Sequence, residues 1–188
     1  MNTELGMKLN MKAFAAAVAL SILGWTATGW AWDPNEVKDL EAKVAEAVAT
    51  IKEKDAGIQT FFDKAAGYAV FPTVGKAGFG IGGARGKGLL IVGGETVAIT
   101  TLTQLTVGFQ AGGQAYSEYI FFKDDVALAN FKRGNYELGA QASAVAVTAG
   151  ASADANYNSG VAIFTITKGG LMYEASVGGQ KFKITATE

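Results

Sequence analysis

Residues 76–94 read KAGFGIGGARGKGLLIVGG, and the fold depends on how this run is laid out. Glycine stands at positions 78, 80, 82, 83, 86, 88, 93 and 94. Without a Cβ, glycine lets one backbone approach another, or a ligand, closely. It brings no packing of its own, so neighbouring elements must cover such a run. Leu89–Val92 is a short continuous apolar stretch, the pattern of a strand buried on both faces. The run therefore predicts a glycine-rich strand, a basic turn at Arg85–Lys87, and a buried strand returning beside it. Between Lys64 and Glu95 the charged side chains are Lys76, Arg85 and Lys87, all cationic.

Upstream, Asp33-Pro34-Asn35-Glu36 is a helix start: Asp33 caps, Pro34 suits the first helical position, and Glu36 completes a capping box. Val37, Leu40, Val44, Val48 and Ile51 follow at helical spacing, with a polar face of mixed sign. This helix is expected to end near Lys54–Gly57. It either packs on its own domain or lies on a membrane surface. A short second helix carries Ile58, Phe61, Phe62 and Ala65, with Gly67 at its end. From Tyr68 the period becomes strand-like. Expected strands are Tyr68–Phe71 (stopped by Pro72), Lys76–Ala84 and Lys87–Val92, then the Gly93-Gly94 turn. Glu95–Ala111 is one long strand or a bent pair, Gly112-Gly113 turns, and Gln114–Phe122 returns. Asp124-Asp125 begins a helix with Leu128 and Phe131 inward and Gly134 as its stop. Tyr136–Val147 is expected as a strand with Ala140, Ala142, Ala144 and Ala146 on one side. Val161–Thr167 and Leu171–Val177 form a hairpin about Gly169-Gly170, and Lys181–Ile184 closes the sheet. These short strands and diglycine turns predict an α+β fold, a mostly antiparallel β-sheet domain with glycine-rich strands and N-terminal amphipathic helices packed on it.

Composition narrows the chemistry. Apolar residues make up 49% of the 188 positions, enough for a core in one domain plus an appendage. Cysteine is absent, which removes disulfides and thiol chemistry. Histidine is absent, which removes the commonest general base and transition-metal ligand. A net charge of -1 gives no whole-molecule field to attract nucleic acid, so an electrostatic partner must meet a local patch. Lys8 and Lys12 precede the apolar run Ala13–Gly24, which is short for a membrane span, and Gly29-Trp30-Ala31 resembles a cleavage site. The expected organisation is a signal peptide at 1–31, a helical segment at 32–66 and a glycine-rich β domain at 67–188. The alternative is an uncleaved N-terminal anchor. Export to a bacterial periplasm, peripheral on the outer or inner membrane, is the expected address.

The motifs lead away from catalysis. Gly78-Phe79-Gly80-Ile81-Gly82-Gly83 has G-x-G-x-x-G spacing but runs into a strand rather than opening a helix, so it is no dinucleotide site. Gly86-Lys87-Gly88 lacks the serine or threonine of a phosphate loop. Asp124-Asp125 reads as a helix cap rather than a metal site, and Glu118, Glu137 and Glu174 are dispersed on strands. No cofactor, metal or catalytic residue is expected. Lys76, Arg85 and Lys87 are either a solvated turn or a contact for anionic headgroups. In the second reading Phe79, Phe71 or the Phe61-Phe62 pair supplies apolar insertion.

The segments AAGYAVFPTVGKAGFGIGG, GKGLLIVGG, GFQAGGQAYSEYIFF, ALANFKRG and GVAIFTITKGGLMYEASVGG resemble, in order and spacing, the SYLF family, also called the Ysc84-type actin-binding domain. The resemblance runs from about Ala65 to Ile184. It implies an α+β domain that binds phospholipid and is not an enzyme. Eukaryotic members bind phosphoinositides and fungal members bind actin, partners that a leader-bearing chain without an SH3 or FYVE domain is not expected to share. The expectation is a lipid-binding envelope domain that meets anionic phospholipid through Lys76, Arg85, Lys87 and the helix Val37–Ile51. The alternatives are a small outer-membrane β-barrel and a scaffold for another envelope protein.

Overall fold

The computed structural model describes residues 34–134, 136–140, 142–169 and 177–186. The expected leader, the Asp33 cap and most of the expected strand Leu171–Val177 lie outside these residues. From Asn35 onward the chain forms one compact unit.

Helix α1, Pro34–Lys54, buries Leu40, Val44, Ala47 and Ile51, a stripe at steps of three and four, and exposes Lys38, Asp39, Glu41, Lys43 and Glu46. Asp55 stops it. Its buried carboxylate accepts from Gly57 N at 3.0 Å and from Ser152 N at 2.6 Å, tying the helix end to a distant loop. Helix α2, Gln59–Lys64, follows a single 3-10 turn. Both helices dock on the sheet. Tyr119 Oη donates to Ala47 O at 2.8 Å, and the Phe61 ring lies 5.6 Å from that of Phe121 and 4.9 Å from that of Phe164. Among the described residues no helix is long and apolar enough to cross a membrane.

Two very long strands dominate the sheet. Strand β1, Gly67–Val92, has 26 residues and β2, Glu95–Phe122, has 28. They form one antiparallel hairpin closed by Gly93 and Gly94, whose φ values of 61° and 87° meet the positive-φ demand of a two-residue turn. A straight strand of 26 residues would run roughly 85 Å, about twice the width of a domain this size. The hairpin must fold, and it does so at Gly78–Gly82, where a Cβ on Gly78 would sit 2.3 Å from Gly82 Cα. Opposite, the register jumps from Phe79↔Ala111 to Gly80↔Gly108, so β2 takes up extra residues at the bend. Beyond the bend the two limbs of β1 meet. A Cβ on Gly88 would lie 2.4 Å from Val70 O, and one on Gly86 would lie 3.0 Å from Thr73 O.

The rest of the sheet grows from this folded hairpin. Helix α3, Asp125–Lys132, is capped by the Asp124 carboxylate, which accepts from Ala127 N. Strand β3, Tyr136–Glu137, extends an edge, and β4, Val145–Ala146, pairs in parallel with β5, Val161–Gly169. Strand β5 borders residues 115–122 of β2, whereas β6, Lys181–Ala186, borders residues 98–103. The two halves of this curled sheet enclose Phe71, Leu90, Leu102, Ile120, Phe122 and Phe182, with Leu128 and Phe131 of α3. The architecture is mostly antiparallel β with helices at the N-terminus and after β2.

Several sequence-derived boundaries differ from the structure. Arg85–Lys87 is not a turn: Arg85↔Thr103, Gly86↔Leu102 and Lys87↔Thr101 are ladder pairs of continuous strand. Gly112-Gly113 also stays extended, paired with Gly78 and Ala77. Pro72 does not end a strand, because it falls in a bulge between Phe71 and Val74, where Ser117 Oγ donates to Pro72 O at 2.9 Å. The expected strand Tyr136–Val147 is reduced to β3 and β4. Its alanines share no face: Ala144 is buried while Ala140 and Ala146 are exposed. Between β3 and β4, Gly178 makes room for the Ala140 backbone, since a Cβ at 178 would lie 2.5 Å from Ala140 O.

If the limb contact at Gly88 governs the fold, Gly88→Ala should destabilise the domain by about 1–3 kcal/mol through overpacking. Gly75→Ala, whose Cβ meets nothing within 4 Å, should be neutral or slightly stabilising. Urea midpoints at unchanged m-value measure both, and equal midpoints for the two variants would contradict the assignment.

Candidate functional site

The bend brings together residues far apart along the hairpin. Lys76 lies on the first limb of β1, opposite Gln114, and Arg85 lies on the second limb, opposite Thr103. Both line a shallow, open cleft on the surface. Its walls are Gly75, Ala77, Gly83, Ala84, Gly113 and Ala115, none larger than a methyl group, with Thr103 and Gln114 beside the two cations. Lys76 is half-buried, and loss of solvent lowers its pKa from the usual lysine value. Arg85 is exposed. At the same end, Ile81 is 68% exposed and Leu105, opposite Gly83, is 81% exposed. Large apolar side chains left in water at a bend, beside cations, form a surface with both chemistries.

The other candidate residues have different places. Lys87 forms an ion pair with Glu36 at the start of α1. Phe61 is buried against Phe121, Tyr157 and Phe164. Phe62 is half-buried, edge-on to Tyr68 and Phe121 at 4.9 Å, with Lys52 Nζ 4.6 Å from its ring centre. These two rings hold the helices on the sheet. Phe79 pairs through its backbone with Ala111, and its side chain lies outside the described residues.

Sequence reading missed Lys181 and Lys183. In the antiparallel ladder, Arg85, Thr103 and Lys181 form one cross-strand row and Lys87, Thr101 and Lys183 the next, so their side chains share a face. Lys181 is 3.6 Å from Glu137, with both side chains largely in water, a pair of small energetic value. Lys181 and Lys183 line a second cleft of about 600 Å³ with Arg133 and Glu137, and Thr103 borders both clefts. No local signal could join Arg85 to Lys181, because the row exists only through pairing of β1, β2 and β6.

The interior holds a second polar feature. Glu118 is fully buried; Gln180 Nε2 donates to its Oε2 at 2.9 Å and lies 3.4 Å from Tyr116 Oη. Glu118 Oε1 has no hydrogen-bond partner among the described residues. Burial pushes the Glu118 pKa up to about 8, partly opposed by the Gln180 bond, so the group is a neutral acid at pH 7. Enclosed between the sheet halves, it belongs to the core and not to an open site.

Residues 103–188 match the family model Ysc84, described as Las17-binding protein actin regulator. The chain is also 30% identical over 140 residues to a protein of Aeromonas veronii named Beta cell expansion factor A, an alignment covering 73% of this chain and 53% of that protein. The chain thus spans about half the length of that relative. The family match includes Lys181 and Lys183 and begins after Lys76 and Arg85.

The folded pKa of Glu118, about 8, lies above the usual glutamate value of 4.5. The contribution to stability is therefore full below about 4.5 and declines as pH rises toward 8. The urea midpoint of the parent should fall across that window, and that of Glu118→Gln should fall measurably less. Parallel curves for the two proteins would contradict a buried neutral acid.

Proposed function

The chain carries a domain of the Ysc84 (SYLF) family, a family of lipid- and actin-binding domains and not a known enzyme family; from that premise we propose that it is a non-enzymatic lipid-binding domain that associates with anionic phospholipid through the bend of its long hairpin. The observation that carries this reading is the exposure of Ile81 and Leu105 beside the Lys76–Arg85 cleft. The apolar pair enters the headgroup boundary while Arg85, Lys181 and Lys183 meet anionic headgroups. Lys76 lies on the approach to the same bend and Phe79 within it. Phe61 and Phe62 hold α2 on the sheet, and Lys87, on the same face as Arg85, pairs with Glu36 of α1. The leader-like N-terminus supports export to the bacterial envelope, where actin is not an expected partner.

The inside-out pattern favours this reading over a transmembrane barrel. A spanning barrel presents an apolar band outward and a polar interior. Here the enclosed face is apolar, and the outer face of the β1–β2–β6 half carries Arg85, Thr103, Lys181 and Lys183.

Each cation near an anionic surface contributes about 1 kcal/mol, so three contribute about 3 kcal/mol, roughly a hundredfold in affinity. Flotation with phosphatidylglycerol-containing vesicles should recover the parent, less so at high salt. Arg85→Glu/Lys181→Glu/Lys183→Glu should stay in the soluble fraction, and Ile81→Ser/Leu105→Ser should bind more weakly. Equal recovery of the parent and the triple variant, or of the parent on purely zwitterionic vesicles, would overturn the proposal.

A further inference from the structure

Asp55 and Glu118 are the buried carboxyl groups among the described residues, and they are held differently. Asp55 accepts from the backbone N–H groups of Gly57 and Ser152 at the end of α1. Glu118 has one side-chain donor, Gln180 Nε2, and its Oε1 has no partner among the described residues. Nothing else that faces Glu118 offers it a charge. Its ladder partners on either side, Phe71 of β1 and Thr165 of β5, share its face and are buried. Helix α3 brings Leu128 and Phe131 to the same interior, and β6 brings Phe182. The titratable neighbours are phenols. Tyr116 on β2 is raised by burial and by the Glu118 charge, and half-buried Tyr136 of β3 is raised by burial, so both stay neutral. No described lysine or arginine is buried. A protonated Oε1 forgoes one hydrogen bond, whereas an ionised carboxylate holds a charge that one amide alone meets, which is far more costly.

The single donor belongs to the least-tied strand around the acid. Gln180 closes the turn at 177–180 and runs directly into β6. That turn exchanges backbone bonds of 2.9 Å with Leu138 and receives Gln104 Nε2 on Gly178 O at 2.9 Å, so turn and strand are one unit. Strand β6 has six residues and pairs with residues 98–103 of β2 and with the two-residue β3. Strands β1 and β5, which flank Glu118 itself, have longer ladders. A short unit of this kind opens at less than the free energy of global unfolding. We propose that Glu118 and Gln180 form a proton-gated latch on β6: while Glu118 keeps its proton the turn and β6 stay docked, and loss of that proton releases them and lets water reach the carboxylate. The folded pKa is raised from 4.5 to about 8, so the docked form holds below that range and release grows as pH rises through about 8. Lys181 and Lys183 ride on β6, so release also withdraws them from the rows they share with Arg85 and Lys87. That last consequence rests on the lipid-binding reading, and the latch itself does not.

Tryptic cleavage of the full chain, without vesicles, tests the latch. Lys87 and Lys183 stand in one cross-strand row on either side of Thr101, so cleavage after Lys87 reports the hairpin and cleavage after Lys183 reports β6. From about one pH unit below 8 to about one unit above it, the ratio of Lys183 to Lys87 cleavage should rise about tenfold in the parent. Glu118→Gln and Glu118→Leu have no proton to lose there, and their ratio should stay level. A level ratio in the parent, an equal rise in the parent and both variants, or cleavage rising together at Lys87 and Lys183 as in global unfolding, would overturn the latch. The first and third of these outcomes are read on the parent alone, so the test stands even where a variant fails to fold. Flotation of the parent with phosphatidylglycerol-containing vesicles should weaken over the same window, and that of Glu118→Gln should not. A rising cleavage ratio with unchanged flotation supports the latch and counts against β6 as part of the lipid-binding face, so the two failures are told apart.

Discussion

The fold depends on backbone lying against backbone where the two limbs of β1 cross. At Gly88 and Gly86 the opposite limb comes so near that a single methyl group would meet Val70 O or Thr73 O at 3.0 Å or less. Two sheet halves usually pack about 10 Å apart through interdigitated side chains. At this edge the separation collapses because one partner has no side chains. The collapse lets one hairpin make both halves of the sheet, and it positions β5 and β6 on opposite arms of the same β2 strand.

The candidate site is a by-product of that constraint. Folding at Gly78–Gly82 brings Lys76 and Arg85 to one cleft, although a straight hairpin would hold them nine residues apart. The same fold leaves Ile81 and Leu105 outside the core and exposed. Away from the bend, exposed grease is sparing. The aromatic residues Phe61, Phe121 and Phe164 are spent on docking α2, and Lys87 is spent on Glu36 of α1. Among the described residues, exposed Ile81 and Leu105 therefore stand beside the cations at the bend. Burial holds Glu118 as a neutral acid at pH 7.

Local features were legible in the sequence. The apolar stripe Leu40, Val44 and Ile51 gave α1, Asp124 and Gly134 bounded α3, and Gly93-Gly94 marked a turn that needs positive φ at both positions. What failed was the assumption that every diglycine or proline interrupts a strand. Gly112-Gly113 and Pro72 sit inside β2 and β1 because tertiary pairing overrides a weak local preference, and a bulge absorbs the missing donor at Pro72. The bend itself is set by contact between limbs, which no window of sequence contains. Of the candidate site, Lys76 and Arg85 were visible as isolated cations in an uncharged stretch. Lys181 and Lys183 were not, because β6 reaches β2 from some 80 residues away, as in the pair Thr103↔Lys181.

The central claim is that the bend, and not the helices, is the end of the molecule that meets lipid. The chain contains no cysteine, so single cysteines at Ile81, Leu105 and Val126 can each carry an environment-sensitive fluorophore. All three side chains are exposed, and Val126 stands on α3, away from the hairpin bend. On addition of anionic vesicles, emission at positions 81 and 105 should shift to the blue and that at 126 should stay at its aqueous value. A shift at 126 with aqueous emission at 81 and 105 would contradict the account.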